Sequence, residues 1–243
     1  MPVTLRFSDT SLEAAARARY LPFASKSAVA FPVHVNPTAA GEFAGPAEPP
    51  QFEFALNGAT LRVYAGRAMC ERVNNEYTLD SLLRVLLSCR LPALDGFLIH
   101  AATVARGANS FVFMGRSGAG KSTVASHAPA GAALTDEISL VRRVGGVWHG
   151  CGTPFWGEFR AAGQQRRAPL AGIYHLVQAP RNRAVRLNAR EAVRALLPNA
   201  LFFSTVAAHR AELLRVATEL AATLPVYRLE FTRDISFWEE IAA

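Results

Sequence analysis

The sequence predicts a mixed α/β fold with a largely antiparallel sheet built around a phosphate-binding loop. Three observations predict it. First, Gly115-Arg116-Ser117-Gly118-Ala119-Gly120-Lys121-Ser122-Thr123 satisfies G-x-x-x-x-G-K-[ST] and is entered from the apolar run Phe111-Val112-Phe113-Met114, the strand-into-loop context the motif requires. Second, strand-like runs outnumber helical ones around that loop, unlike the regular alternation of a parallel doubly wound sheet. Third, 51% of the 243 residues are hydrophobic, which excludes a mainly disordered chain and allows a sizeable core.

Residues 1–50 carry the weakest pattern. Ser11 to Tyr20 has helical composition, but Pro22, Pro32, Pro37, Pro46, Pro49 and Pro50 interrupt everything after it, so loops, a short helix and an edge strand are expected there. Gln51–Leu56 and Ala59–Tyr64 alternate around Asn57-Gly58, a hairpin signal because both turn residues tolerate positive φ. Thr78 to Leu91 reads as a helix, with Thr78 as cap, Leu79, Leu82, Leu83, Leu86 and Leu87 at helical spacing, and Pro92 as its stop. Residues 1–90 are expected to form a β-rich region packed on the core, and 91–243 the domain that carries the loop.

After Asp95-Gly96, the run Phe97–Ala105 predicts a strand that turns at Arg106–Asn109 and pairs antiparallel with the strand entering the loop. A short helix after Lys121 ends near His127 and Pro129. Gly131–Thr135 then rises into Asp136-Glu137, Ile138–Arg143 turns at Gly145-Gly146 into Val147–His149, and Gly150–Glu158 reads as a loop. Strands at Leu170–Val177 and Val226–Phe231 and helices at Ala189–Leu196 and Thr205–Leu224 complete the expected elements.

The motif's residue types follow from its chemistry. Glycines let the backbone turn tightly and aim successive N–H groups at phosphate oxygens. Lys121 reaches the β/γ-phosphates, Ser122 offers a hydroxyl to Mg²⁺, and the helix beginning near Thr123 points its positive end at the anion. Phosphoryl transfer also needs a carboxylate beside the loop. Asp136 and Glu137, at the end of a short apolar strand 15 and 16 residues beyond Lys121, are the candidates.

The net charge of +7 comes almost entirely from scattered arginines and reads as a solvated surface rather than a nucleic-acid site. Cys70, Cys89 and Cys151 are odd in number and widely spaced, which indicates neither a disulfide framework nor a zinc site. The N-terminus lacks the order of a signal peptide, and no apolar run approaches about 18 residues. A cytoplasmic protein with no membrane partner is expected.

Three features together resemble the kinase domain of the HPr kinase/phosphorylase family and, more distantly, the nucleotide site of phosphoenolpyruvate carboxykinases. His100 stands 15 residues before Gly115, Gly115–Ser122 is similar to the family's G-x-S-G-x-G-K-S, and Leu134-Thr135-Asp136-Glu137 is similar to its acidic pair, with Glu137 in place of the second aspartate. The resemblance covers about residues 97–160 well. The family's Arg-Gly-Leu-Gly signature has no match, and residues 1–90 differ from its sensory domain.

The resemblance implies an ATP- and Mg²⁺-dependent kinase acting on a hydroxyl, expected to be a serine of a small protein or peptide, or a small-molecule hydroxyl acceptor. It implies that the amides from Arg116 to Ser122 and the Lys121 ammonium hold phosphates, that Ser122 and Asp136 hold Mg²⁺, and that Glu137 or Asp136 orients or deprotonates the acceptor. His100 is either a site residue or a satisfied core histidine, and the family's symmetric multimers make a homo-oligomer an expectation. Cys151–Glu158 is a candidate lid, with Arg160, Arg166 and Arg167 nearby for an anionic group. Phe155 and Trp156 either stack on a base or close the core. The alternatives are a nucleotide-gated binding module without catalysis and phosphoenolpyruvate carboxykinase-like chemistry.

Overall fold

The computed structural model describes residues 2–25, 30–38, 48–155, 157, 163–232 and 234–241. The fold is mixed α/β with two mixed sheets. The smaller sheet contains β1 (Val3–Phe7), β2 (Phe31–Val35), β3 (Phe52–Leu56), β4 (Ala59–Val63) and β5 (Ala68–Glu71), in the order β1-β2-β5-β4-β3. Helices α1 (Thr10–Tyr20) and α2 (Glu76–Arg90) pack with it. The expected hairpin is present: Asn57 and Gly58 both have positive φ (51° and 81°), and β3 pairs β4 in antiparallel register.

Two details of this half differ from expectation. β2 is an internal strand despite Pro32, pairing in parallel with β1 on one side and β5 on the other. The pattern is hard to read because proline removes a ladder donor. The cap of α2 is Asn75 rather than Thr78: the Asn75 side chain accepts from the Thr78 amide at 2.8 Å, so Thr78 already lies inside the helix. An asparagine oxygen at that position satisfies one of the amides left open by the first turn.

The larger sheet follows from β6 (Gly96–Arg106), β7 (Asn109–Met114), β8 (Ala133–Thr135), β9 (Ile138–Val144), β10 (Val147–Cys151), β11 (Arg167–Gln178), β12 (Arg183–Arg186) and β13 (Val226–Phe231). Its order is β10-β9-β6-β7-β11-β13-β12, with β8 also on β6 and β10 also on β11. β11 runs parallel to β7 and β13, and the other pairings are antiparallel. The second contact of β10, through Gly150↔Ala168 and Cys151↔Arg167, closes β10, β9, β6, β7 and β11 into a ring. Gly150 and Cys151 therefore belong to a strand, not to the expected loop. Gly150 is needed there because a Cβ would stand 2.7 Å from Ser110 Oγ on β7.

The helices α3 (Lys121–Ser126), α4 (Ala189–Leu196) and α5 (Ala207–Thr223) complete the fold. One face of the sheet buries Val112, Met114, Ile173 and Val226 against Leu196, Leu213, Val216 and Leu220 of α4 and α5. The other face buries Val104, Phe113, Leu176 and Phe231 against Val124 of α3 and Phe237 of a 3₁₀ segment, Ile235–Glu240. Covered on both faces, β6 is apolar almost throughout, as a central strand should be. A third cluster joins Leu12, Val33, Leu61 and Leu82 to Leu98, Ile138 and Phe155, so the N-terminal half shares its core with the rest. Among the described residues, no helix is long and apolar enough to cross a membrane.

Candidate functional site

The glycine-rich loop joins the end of β7 to the start of α3. Gly118 and Gly120 sit at φ 76° and 113°, angles that side-chain-bearing residues rarely adopt. Gly120 has a second constraint, since a Cβ on it would lie 2.5 Å from Cζ of Phe231 on β13. Lys121 is buried, and its ammonium donates to the carbonyl oxygens of Gly115 (3.0 Å) and Arg116 (3.1 Å), tying the loop's first turn to its last. From the end of β11, Gln178 Nε2 donates to Gly118 O at 2.6 Å. Gln178 supports the loop's apex and is not marked by any motif.

The acidic pair is placed by strand register. β8 and β9 both pair with β6: Thr103↔Thr135 and His100↔Ile138 keep one offset across an interruption at Asp136-Glu137, and the register shifts only beyond it, between Thr103 and Val104, where Ala133 pairs Val104. The interruption lies opposite Ala101 and Ala102, and the Ala101 amide donates to Glu137 O at 2.8 Å. Ala101 pairs on its other side with Met114, the last residue before the loop. Two strand spacings, about 10 Å of backbone, therefore separate the acids from the loop's entry. Side chains alternate along β6, so His100 shares a face with Val104, which packs against α3.

These elements surround a cavity of about 330 Å³ lined by His100, Ser117, Gly118, Gly120, Lys121, Ser122, Thr123, Asp136 and Glu137. Three segments separated in sequence thus converge. Gly115, Arg116 and Ala119 do not line it: the first two give carbonyls to Lys121, and Ala119 packs into the core beneath. Asp136 is buried and His100 half-buried. Burial, then the charges of Lys121 and Arg84, hold the His100 imidazole below its ordinary value of 6.5, so it is neutral at pH 7.

The segment after β10 is cinched at its neck. Gly163 N donates to Thr153 O at 3.0 Å and Gln164 N to Leu134 O at 2.9 Å. Between them, Gly157 passes so close to the acids that a Cβ would stand 2.6 Å from Asp136 Oδ2. Phe155 is buried in the core it shares with α2, which settles its role as core closure. Trp156, Glu158 and Arg160 lie outside the described residues. Arg166 and Arg167 flank the neck and do not line the cavity. Burial pushes the Cys151 thiol up to about 11, which makes it inert as a nucleophile.

One group near the site carries no sequence signal beyond an Asp-x-x-x-Arg spacing on α2. Asp80, almost fully buried, receives Arg19 Nε on Oδ1 (3.1 Å) and Arg19 Nη2 on Oδ2 (3.0 Å), the Tyr20 hydroxyl on Oδ1 (3.0 Å), and Arg84 Nη2 on Oδ2 (2.8 Å). The Arg84 guanidinium carbon lies 5.1 Å from the centroid of the Phe155 ring.

A search of curated proteins finds no match. A family model described as SynChlorMet cassette protein ScmC matches residues 70–243, which hold the loop, His100, the acidic pair and Arg84. That span is about seven-tenths of the sequence, and the chain therefore belongs to the ScmC family of SynChlorMet cassette proteins.

Proposed function

We propose that the protein is an ATP- and Mg²⁺-dependent phosphotransferase, similar to HPr kinase, that moves the γ-phosphoryl group to a hydroxyl, with a serine of a small protein or peptide as the favoured acceptor. The observation that carries this reading is the single cavity shared by the glycine-rich loop, Lys121, His100 and the acidic pair. Phosphoryl transfer asks a protein mainly for positioning and charge, and this cavity has the groups for both.

In this reading the loop amides and Lys121 hold the triphosphate, and Lys121 exchanges its loop carbonyls for phosphate oxygens. Among the described residues no three His, Cys, Asp or Glu side chains are grouped to hold a metal unaided. One hydroxyl and one carboxylate beside a phosphate loop suit Mg²⁺, which keeps several waters and takes ligands from substrate phosphate. Ser122 and Asp136 are the residues for it, and when bound it neutralises phosphate charge. The acceptor oxygen forms its bond to the γ-phosphorus as the bond to the β–γ bridging oxygen breaks, and ADP leaves with that electron pair. The hydroxyl proton passes to the carboxylate of Glu137 or Asp136. Neutral His100 offers one hydrogen bond beside the acids.

The test is single-turnover transfer of γ-³²P from ATP to a mixed peptide and metabolite pool, comparing wild type with Lys121→Ala and Asp136→Asn. Label that moves to one component with wild type alone supports the reading. Wild type that binds ATP tightly yet labels nothing would sink it. That second outcome would favour a nucleotide-gated binding module, which the glutamate at 137, in place of the aspartate of the HPr kinase/phosphorylase family, also suits.

A further inference from the structure

We propose that the stretch from Arg181 to Arg194, which forms β12 and α4 beside the glycine-rich loop, docks an acidic segment of the peptide or protein that accepts the phosphoryl group. The inference rests on the phosphotransferase reading and names the chemistry of its partner.

Unneutralised charge carries it. Arg181, Arg183, Arg186, Arg190 and Arg194 are all exposed, and among the described residues none of their side chains has an ion pair or hydrogen bond. Arginines elsewhere meet acids: Arg17 meets Glu13, Arg62 meets Glu53 and Glu71, Arg143 and Arg215 share Asp95 and Glu219, and Arg228 meets Glu230. Glu191 is the one acid between Arg181 and Arg194, and its carboxylate is held by the Asn188 amide at 3.0 Å. Like charges gathered this closely repel one another, and Arg190 and Arg194, four apart on one helix face, form a pair that weakens a helix. Carboxylates from a partner would remove that repulsion, and guanidinium groups match them with paired N–H donors.

Placement ties the stretch to the site. β12 is the last strand of its sheet and pairs with β13 alone, so arginines on both of its faces border one edge with no strand beyond it. The Ala184 amide on that edge already receives a carboxylate, that of Glu240, at 3.2 Å. β12 is reached from the end of β11, where Gln178 donates to Gly118 O at 2.6 Å, and Gly118 lines the cavity. Arg181 comes three residues after Gln178, roughly 10 Å of extended chain, so a segment lying on this edge starts close to the loop. No aromatic residue stands between Ala179 and Leu196. The bases of a single-stranded nucleic acid would therefore lack a stacking platform, which favours an acidic peptide.

The experiment measures fluorescence anisotropy on the full-length protein without nucleotide, at low and at physiological salt. The probes are a labelled peptide alternating glutamate and serine, the same peptide with glutamine for glutamate, and a single-stranded oligonucleotide of matched charge. Wild type is compared with the triple variant Arg181→Gln, Arg183→Gln, Arg186→Gln and with the pair Arg190→Gln, Arg194→Gln. A control triple, Arg6→Gln, Arg17→Gln, Arg210→Gln, removes as much exposed charge elsewhere. Thermal melting checks that each variant is folded. Wild type should bind the glutamate peptide, more weakly as salt rises, and should not bind the glutamine peptide. The β12 triple should weaken binding about 5- to 50-fold, the α4 pair by less, and the control should stay within about twofold. Wild type that fails to bind the glutamate peptide, a control that loses as much as the β12 triple, or a preference for the oligonucleotide overturns the inference. No phosphoryl transfer is measured, so the phosphotransferase reading stands or falls separately, on the γ-³²P experiment.

Discussion

Replacing Gly120 by alanine tests the loop's construction most directly. Two separate costs follow from its position. The backbone angle, φ 113°, is one that an L-residue with a Cβ occupies at a cost of roughly 1–3 kcal/mol. The new methyl would also stand 2.5 Å from Phe231 Cζ. That ring cannot swing away freely, because it is fully buried and packs edge-on against Phe237 at 5.8 Å. Forcing a methylene-sized group into such packing costs about 1–3 kcal/mol. The sum is roughly 2–6 kcal/mol, read as a lower urea midpoint with unchanged slope. Phe231→Leu removes the ring edge, so the double variant should be less destabilised than the two single variants added together by about 1–3 kcal/mol, while the backbone cost remains. If Gly120→Ala unfolds within about 0.5 kcal/mol of wild type, or the two changes simply add, the close approach of loop and ring is not what requires glycine.

Three further outcomes are expected. Asp80→Ala removes the carboxylate shared by Arg19, Tyr20 and Arg84 and should cost about 3–5 kcal/mol in chemical denaturation; a loss below about 1 kcal/mol would contradict a buried ionic anchor. The imidazole of His100 has its pKa lowered below 6.5 in the folded protein, so as pH falls through 6.5 the unfolded chain takes up a proton that the folded chain refuses, and stability drops. His100→Gln should therefore flatten the fall in urea midpoint between pH 7 and pH 5, and an unchanged profile would count against the assignment. Asn188 and Glu191 form a reciprocal capping box on α4, each side chain bonding the other's backbone amide at 3.0 Å. Asn188→Ala should cost about 0.5–2 kcal/mol, measured by thermal melting.

Local chemistry made much of this molecule legible. Asn57-Gly58 announces a turn that needs two positive φ values, and the helix Ala189–Leu196 and the strand Val226–Phe231 appear with the boundaries their periodicity gives. The loop residues and the two acids are also local patterns. What the sequence concealed depends on distant partners. β2 holds a proline, and β12 is four residues with an arginine at each end; β2 is a strand because β1 and β5 flank it, and β12 because β13 pairs with it. Gly150 reads as a loop residue until Ser110, forty positions earlier, is placed beside it. Gln178 and Arg84 look like ordinary surface residues because the groups that define them, Gly118 O, the Phe155 ring and the Arg19–Asp80 pair, come from other parts of the chain.

The path of β11 has a consequence for the order in which the molecule can fold. β6 and β7 meet across a two-residue turn, a contact the chain finds locally, whereas β7 and β11 become neighbours only after everything from Gly115 to Arg166 has been laid out between them. Parallel, long-range pairing is slow because chain entropy is lost before the contacts compensate it. The pairing that sets His175 beside Met114 and brings Gln178 under Gly118 thus belongs to the late steps. An early intermediate would hold the β6–β7 hairpin with the glycine-rich segment dangling from its end, lacking both floor and prop. A ligand of the glycine-rich segment added during refolding would then act only on the last stage, trapping the finished chain rather than seeding it.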